Sequence, residues 1–256
     1  MRKLILLACI ASFTGNAMAQ DTTSLTTTTI TTTTSTENKV KQKVDLRERS
    51  GDHLMVQLAN NFWLNAPDSM KDHMKGFSRS ANVFFMLDKP FKTNPRMSVA
   101  FGLGISTASM YTKNMEFGID KNTPKLPIYM TDSMNHYKKY KLTNVYAEVP
   151  LELRFTAHPE TPTKGFKMAI GARVGTLLSA GTKGKNLQNR AGNVISNTTY
   201  KVKDQEYFNK TRLGVSARFG YGIVSIFGTY YFSTFFKDGV APPVKNMQIG
   251  IMLSGL

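Results

Sequence analysis

The stretch VYAEVPLELRF, Val145 to Phe155, decides the fold. Its odd positions, Val145, Ala147, Val149, Leu151, Leu153 and Phe155, are all apolar. Its even positions, Tyr146, Glu148, Pro150, Glu152 and Arg154, hold every charged side chain of the stretch. Successive side chains of a β-strand point to opposite faces, so a period of two means a strand with one apolar and one charged face. Such a strand suits a bilayer. Crossing at a barrel tilt takes about 9–11 residues, whereas strands of soluble proteins run to about 5–6.

The same alternation recurs on both sides of this stretch. Leu54, Val56, Leu58, Phe62 and Leu64 alternate with Met55, Gln57, Ala59 and Asn61. Ala81, Val83, Phe85 and Leu87 alternate with Asn82, Phe84, Met86 and Asp88. Further runs follow over 97–106, 166–175, 212–219 and 247–254. A segment from Ile223 to Phe236 is apolar on both faces and leaves its phase open. The reading is all-β: an eight-stranded antiparallel up-and-down transmembrane β-barrel over residues 53–256. A soluble eight-stranded barrel would instead turn its apolar face inward. The second face here carries carboxylates and cations, which are costly in an apolar core but tolerable when paired in a polar lumen.

Connection lengths agree. Long connections at 65–77, 112–141, 181–208 and 237–243 alternate with short ones at 91–94, 158–164 and 220–222. Outer-membrane barrels have short periplasmic turns and long external loops. Aromatic residues near strand ends predict two girdles. Phe62, Trp63, Phe77, Tyr111, Phe235 and Phe236 are expected at the outer rim, and Phe91, Phe155, Phe166, Phe219 and Tyr221 at the inner rim.

Upstream of the barrel, residues 1–19 read as an export signal: Arg2 and Lys3, an apolar run from Leu4 to Ile10, and the small-x-small site Ala17-Met18-Ala19. Residues 20–52 begin with a threonine tract that has no apolar face to bury, and read as a disordered periplasmic linker. The one cysteine, Cys9, falls in the signal, so disulfides and thiolate metal sites are not expected. The formal charge is +16, and losing Arg2 and Lys3 with the signal would leave +14. That surplus favours polyanionic partners. For an exported chain these are outer-membrane lipid and lipopolysaccharide rather than nucleic acid.

An eight-stranded barrel leaves an interior just wide enough for side chains to fill, so the lumen should be plugged. Glu148, Glu152, Arg154, Lys167, Arg173, Arg212 and Arg218 are placed there as a salt-bridge network, with Glu148 and Glu152 expected to face Lys167 and Arg173. No catalytic constellation, metal site or cofactor is expected. The glycines around Leu103 lie within a strand, and His53, His73, His136 and His158 fall on separate segments. The loop lysines Lys113, Lys121, Lys125, Lys138, Lys139, Lys141, Lys183, Lys185, Lys201 and Lys203 are candidate contacts to lipopolysaccharide phosphates.

The segment Tyr146 to Phe155, with Pro150 after Glu148-Val149, resembles a strand of the PorT-like outer-membrane β-barrel family. Ala169-Ile-Gly-Ala-Arg-Val-Gly175 is similar to the strand that follows it there. Gly228-Thr-Tyr-Tyr-Phe-Ser and Ile249-Gly-Ile251 are similar to the last hairpin. Leu256 departs from the aromatic residue with which such barrels often end. The resemblance implies a location in the cell outer membrane of a Gram-negative bacterium. For some relatives it also implies a part in protein secretion. The functional expectation is a non-enzymatic barrel with a structural or binding role through its external loops. The alternatives are an accessory component of a secretion apparatus, with secretion-system proteins as partners, and a lipid-modifying hydrolase. Asp21-Thr22-Thr23 looks like an O-glycosylation sequon of bacteria that carry this family, with Thr22 as acceptor.

Overall fold

A computed structural model describes residues 53–161 and 164–255. The expected signal, the threonine-rich linker and Thr22 lie outside the described residues. The elements in chain order are β1 (Leu54–Leu64), α1 (Asp68–Lys71), β2 (Arg79–Pro90), β3 (Met97–Thr112), β4 (Met115–Phe117), β5 (Ile128–Met130), β6 (His136–Thr156), β7 (Phe166–Gln188), β8 (Val194–Lys203), β9 (Thr211–Tyr221), β10 (Val224–Thr234) and β11 (Lys245–Ser254).

Eight of the strands close a barrel in the order β6-β3-β2-β1-β11-β10-β9-β7, with β7 returning to β6. All pairings are antiparallel, and β1 meets β11 from Met55↔Ser254 to Leu64↔Lys245. The alternation read from sequence gives the two faces directly. Leu58, Phe85, Leu103, Leu151, Ile170, Val215, Ile226 and Ile251 point outward and are exposed, while Gln57, Asn82, Glu148, Glu152, Arg173 and Gln248 point inward and are buried. An apolar outer band around a polar interior inverts a soluble core and suits hydrocarbon outside. The open phase of the seventh barrel strand is settled. In β10, Ser225, Phe227, Thr229 and Tyr231 point inward and Val224 and Ile226 outward.

Pro150 sits within β6 without breaking the barrel. The β3–β6 pairing is interrupted opposite it, between Phe101↔Leu151 and Gly104↔Glu148. A proline has no N–H to give a ladder and is tolerated where the ladder lapses. At the short-turn end, β9 and β10 join through Gly222 at φ 63°, a conformation that a side chain resists.

The long connections are more ordered than the sequence indicates. β4 and β5 form a hairpin within the 112–141 connection. β6 and β7 continue past the barrel as a paired tongue to His136↔Gln188, and β8 adds to the edge of β7 from Gly181↔Lys203 to Gln188↔Val194. A bulge marks where barrel becomes tongue. Val145 pairs with Ser179 but Tyr146 pairs with Leu177, so Leu178 is an extra residue on β7. One extra residue reverses the inside–outside phase of everything beyond it. Below the bulge the odd residues Arg173, Gly175 and Leu177 point inward. Above it the even residues Ala180, Thr182 and Gly184 do so.

Candidate functional site

The lumen is built in two tiers. The tier towards the short-turn end is polar. Each of the two glutamates of β6 stands between small residues on the neighbouring strands: Glu148 between Gly104 and Gly175, and Glu152 between Ala100 and Gly171. These gaps let longer side chains arrive from further round the barrel. Arg212 of β9 lies opposite Gly175 and reaches over it to Glu148, with its Nε donating at 2.8 Å. A Cβ at Gly175 would stand 2.8 Å from Cγ of Glu148 and close that path. The Arg212 guanidinium is stacked between the rings of Tyr146 and Tyr231, at 3.9 and 4.0 Å from their centroids, and donates to Ser106 Oγ at 2.8 Å. The Tyr231 hydroxyl donates to the other carboxylate oxygen of Glu148 at 3.4 Å.

Glu152 forms the second centre. It accepts from Nε of Arg154 at 3.0 Å and from Nε of Arg218 at 3.3 Å, and Arg154 also lies 3.8 Å from Asp88. Arg173 donates to Oε1 of Gln57 at 3.2 Å and lies over the ring of Phe84 at 4.8 Å. Asn82 ties the floor to the centre, donating to Gln57 and Gln248 and accepting from Ser106. All seven expected network residues are buried in this lumen. The partners differ from the expected register. Arg212 and Arg218, two strands away from the glutamates, hold them, while Arg173 turns to Gln57. Lys167 is buried opposite Thr156. Asp88, Gln57, Asn82, Gln248, Tyr146 and Tyr231 were outside the expected set. Their inward positions in the alternation were the available signal for all but Tyr231, which lies in the segment whose phase the sequence leaves open.

The upper tier is aromatic. Trp63 packs against Phe117, Phe235 and Phe236, and Phe208 against Phe235 and Phe236. Tyr140, Tyr207, Met70 and Met115 join the same cluster. This corrects the expected outer girdle. Phe62 and Phe77 are exposed at that rim, but Trp63, Phe235 and Phe236 are buried inside it. Trp63 follows the inward phase of Asn61, and the two phenylalanines follow the register shift between Tyr230 and Thr234.

Over this tier the connections are tied together. His73, just after α1, meets Asp132 at 2.7 Å through Nε2 and the carbonyl of Ser69 at 2.8 Å through Nδ1. Both neighbours are acceptors, so the imidazolium suits the site best. The Asp132 hydrogen bond and that of Ser69 hold the His73 pKa above its usual value, and His73 and Asn114 hold Asp132 below its own. Burial pushes Tyr140, whose hydroxyl donates to the carbonyl of Phe117, up to about 12. Burial likewise raises Glu116.

The tongue gathers the loop lysines. Lys139 pairs with Lys185, and Lys141 with Lys183, which pairs in turn with Lys201. Directly opposed residues of antiparallel strands share a face. Tyr111, Tyr140 and the lysines Lys139, Lys141, Lys183 and Lys185 line a depression of about 200 Å³. Lys113 and Lys138 lie outside it. Among the described residues, no group of three or more His, Cys, Asp or Glu side chains is placed to hold a metal. No hydrogen bond there joins a histidine ring to a serine hydroxyl.

A family model for the outer membrane protein beta-barrel domain matches residues 42–236. No curated protein matches the chain.

Proposed function

The chain belongs to the outer membrane protein beta-barrel domain family, and from that membership we propose that it is a sealed, non-enzymatic barrel that acts by binding through the sheet at its long-loop end. Family membership implies an outer-membrane location. The observation that carries the reading is the filled lumen. Arg173, Tyr146, Tyr231 and Phe84 are fully buried inside the barrel, and the aromatic tier stands above them. With transport through the lumen blocked, the ordered tongue of β6, β7 and β8 is the part left to meet a partner. The finer likeness to PorT-like barrels is supported by Pro150 at the lapse in the ladder and by Gly171 and Gly175 on the next strand.

One observation favours a second reading, an accessory role in protein secretion. Among the described residues β8 pairs only with β7, so its other edge is open to an added strand. The lipid-hydrolase alternative finds no support in the serine and histidine positions above.

The purified barrel should give no steady large conductance in planar bilayers, and should fractionate with the outer membrane and change gel mobility on heating. Reproducible porin-sized channels would overturn the sealed lumen. Recovery in the soluble periplasm would overturn the location.

A further inference from the structure

On the barrel, the odd residues of β6 face lipid: Val149, Leu151 and Leu153 are exposed. The same face runs upward through Val145 and Thr143 into Lys141 and Lys139. On β7 the lipid face is Ile170, Ala172, Val174 and Leu178, and the bulge at Leu178 carries it over to Gly181, Lys183 and Lys185. Through the register of β8, Lys201 and Lys203 join it opposite Lys183 and Gly181. Six lysines thus stand on the side of the tongue that continues the lipid-facing wall.

Two features tell what they face. Like charges directly opposed across strands are destabilising, and both Lys139↔Lys185 and Lys141↔Lys183↔Lys201 are of this kind. No acidic side chain answers them, since none of the six is ion-paired among the described residues. Beside them the rim presents rings with cations over them. Lys141 Nζ is 5.7 Å from the Tyr111 centroid, and Arg79 is 5.9 Å from Tyr111 and 5.6 Å from Phe77. Burial lowers the pKa of Lys141, which a nearby anion would reverse. A soluble partner would approach the tip or the open β8 edge. A cationic wall flush with the lipid wall is presented instead to the polar layer of the same leaflet.

We propose that Lys139, Lys141, Lys183, Lys185, Lys201 and Lys203 form a lateral binding face for the phosphate groups of outer-leaflet lipopolysaccharide, centred on the depression between β6 and β7. The proposal rests on the reading above that the long-loop end is external and the barrel sealed. Lysine ammonium groups act as point charges on phosphate, and each adds to attraction at an anionic surface.

The test uses the full barrel reconstituted with phosphatidylcholine vesicles that contain either bisphosphorylated lipid A or its dephosphorylated form, with inorganic polyphosphate as competitor. The wild type should retain the bisphosphorylated lipid in preference to the dephosphorylated one, and less so as salt rises. Changing Lys139, Lys141, Lys183 and Lys185 together to Gln should weaken retention at least about tenfold. Lys113→Gln and Lys138→Gln should leave it unchanged. Should the fourfold variant not fold, K141Q alone and the salt dependence of the wild type carry the test. Equal retention of both lipids, retention untouched by the lysine changes or by salt, or an equal loss from Lys113→Gln would overturn the proposal. Displacement by polyphosphate without preference for lipid A would assign the face to a soluble polyanion and also overturn it. Heat-shifted mobility and conductance are read on the same preparation. A sealed barrel without lipid preference therefore sinks this proposal alone, and a conducting barrel sinks the reading beneath it.

Discussion

Strands β6 and β7 pass through two regions that treat cations in opposite ways. Below Leu178 arginines are buried in the lumen, and Arg154, Arg212 and Arg218 each meet a carboxylate. Above it lysines crowd onto an outward face with no carboxylate among them. The chemistry suits each place. A guanidinium offers a planar fork that can stack on rings while it donates, as Arg212 does between Tyr146 and Tyr231. An ammonium on a flexible stem is a point charge with many reachable positions. The lower region has its partners in the chain; the six lysines of the upper one have no ion pair among the described residues.

The largest expected effect breaks the lower region. Glu148→Ala would leave Arg212 buried between two rings without its carboxylate. Removing one partner of a buried pair costs about 3–5 kcal/mol, less where water can enter the lumen. The heat-induced gel shift should move to clearly lower temperature. Glu152→Ala should do the same, because Arg154 and Arg218 share that carboxylate. Unchanged melting of both variants would mean that the lumen pairs are solvated.

Deletions at the bulge attack the boundary itself. Removing Leu178 alone makes Tyr146↔Leu177 and Val145↔Ser179 consecutive pairs of a regular ladder, so both phases survive. Removing Leu178 and Ser179 together inverts the phase beyond Leu177 and turns Lys183 and Lys185 towards the aromatic tier. An unpaired buried charge costs several kcal/mol, so in the double deletion the tongue should unzip while the barrel stays closed. Limited proteolysis should then cut within 181–203 in the double deletion and not in the single one, with heat-shifted mobility kept in both. A tongue as resistant as the wild type's in the double deletion would show that strand phase is not what holds the lysines outward.

The smallest effect concerns the tie across the upper tier. The folded pKa of His73 is raised, so its bond to Asp132 stabilises fully below the ordinary value of 6.5 and is lost as pH rises through the folded value. Asp132, with a lowered pKa, loses its share only in acid. Proteolysis near 65–77 should therefore quicken from mildly acidic to alkaline pH, and Asp132→Asn should remove that dependence. A rate flat across this range in the wild type would leave the pair without a role in holding the loops.

The barrel was legible in the sequence because its strands alternate cleanly and its turns alternate in length. Phases set by Leu58, Leu151 and Ile170 needed no structure. Three features were hidden. The tongue has polar residues on both faces, as Lys138 to Lys141 and Gly181 to Lys203 show, so no alternation announces a strand. The bulge changes the period at one residue, and a reading by twos stops at Gly175. Two of the partners of Glu148 and Glu152, Arg212 and Arg218, sit two strands away, beyond glycines that look only like gaps. β10 was ambiguous for a related reason: Phe227 and Tyr231 fill the lumen beside Ser225 and Thr229, so large rings stand on both of its faces.

The seam between β1 and β11 bears on time rather than on place. It pairs Met55 with Ser254, nearly the whole described length apart, through backbone hydrogen bonds along both strands. Contacts so distant in sequence form slowly. Until they form, two strand edges stand open, which hydrocarbon does not tolerate. The last of the described strands in sequence is thus the one that locks the first, and a chain lacking β11 would carry every lumen residue of β6, β7 and β9 with no wall to enclose them.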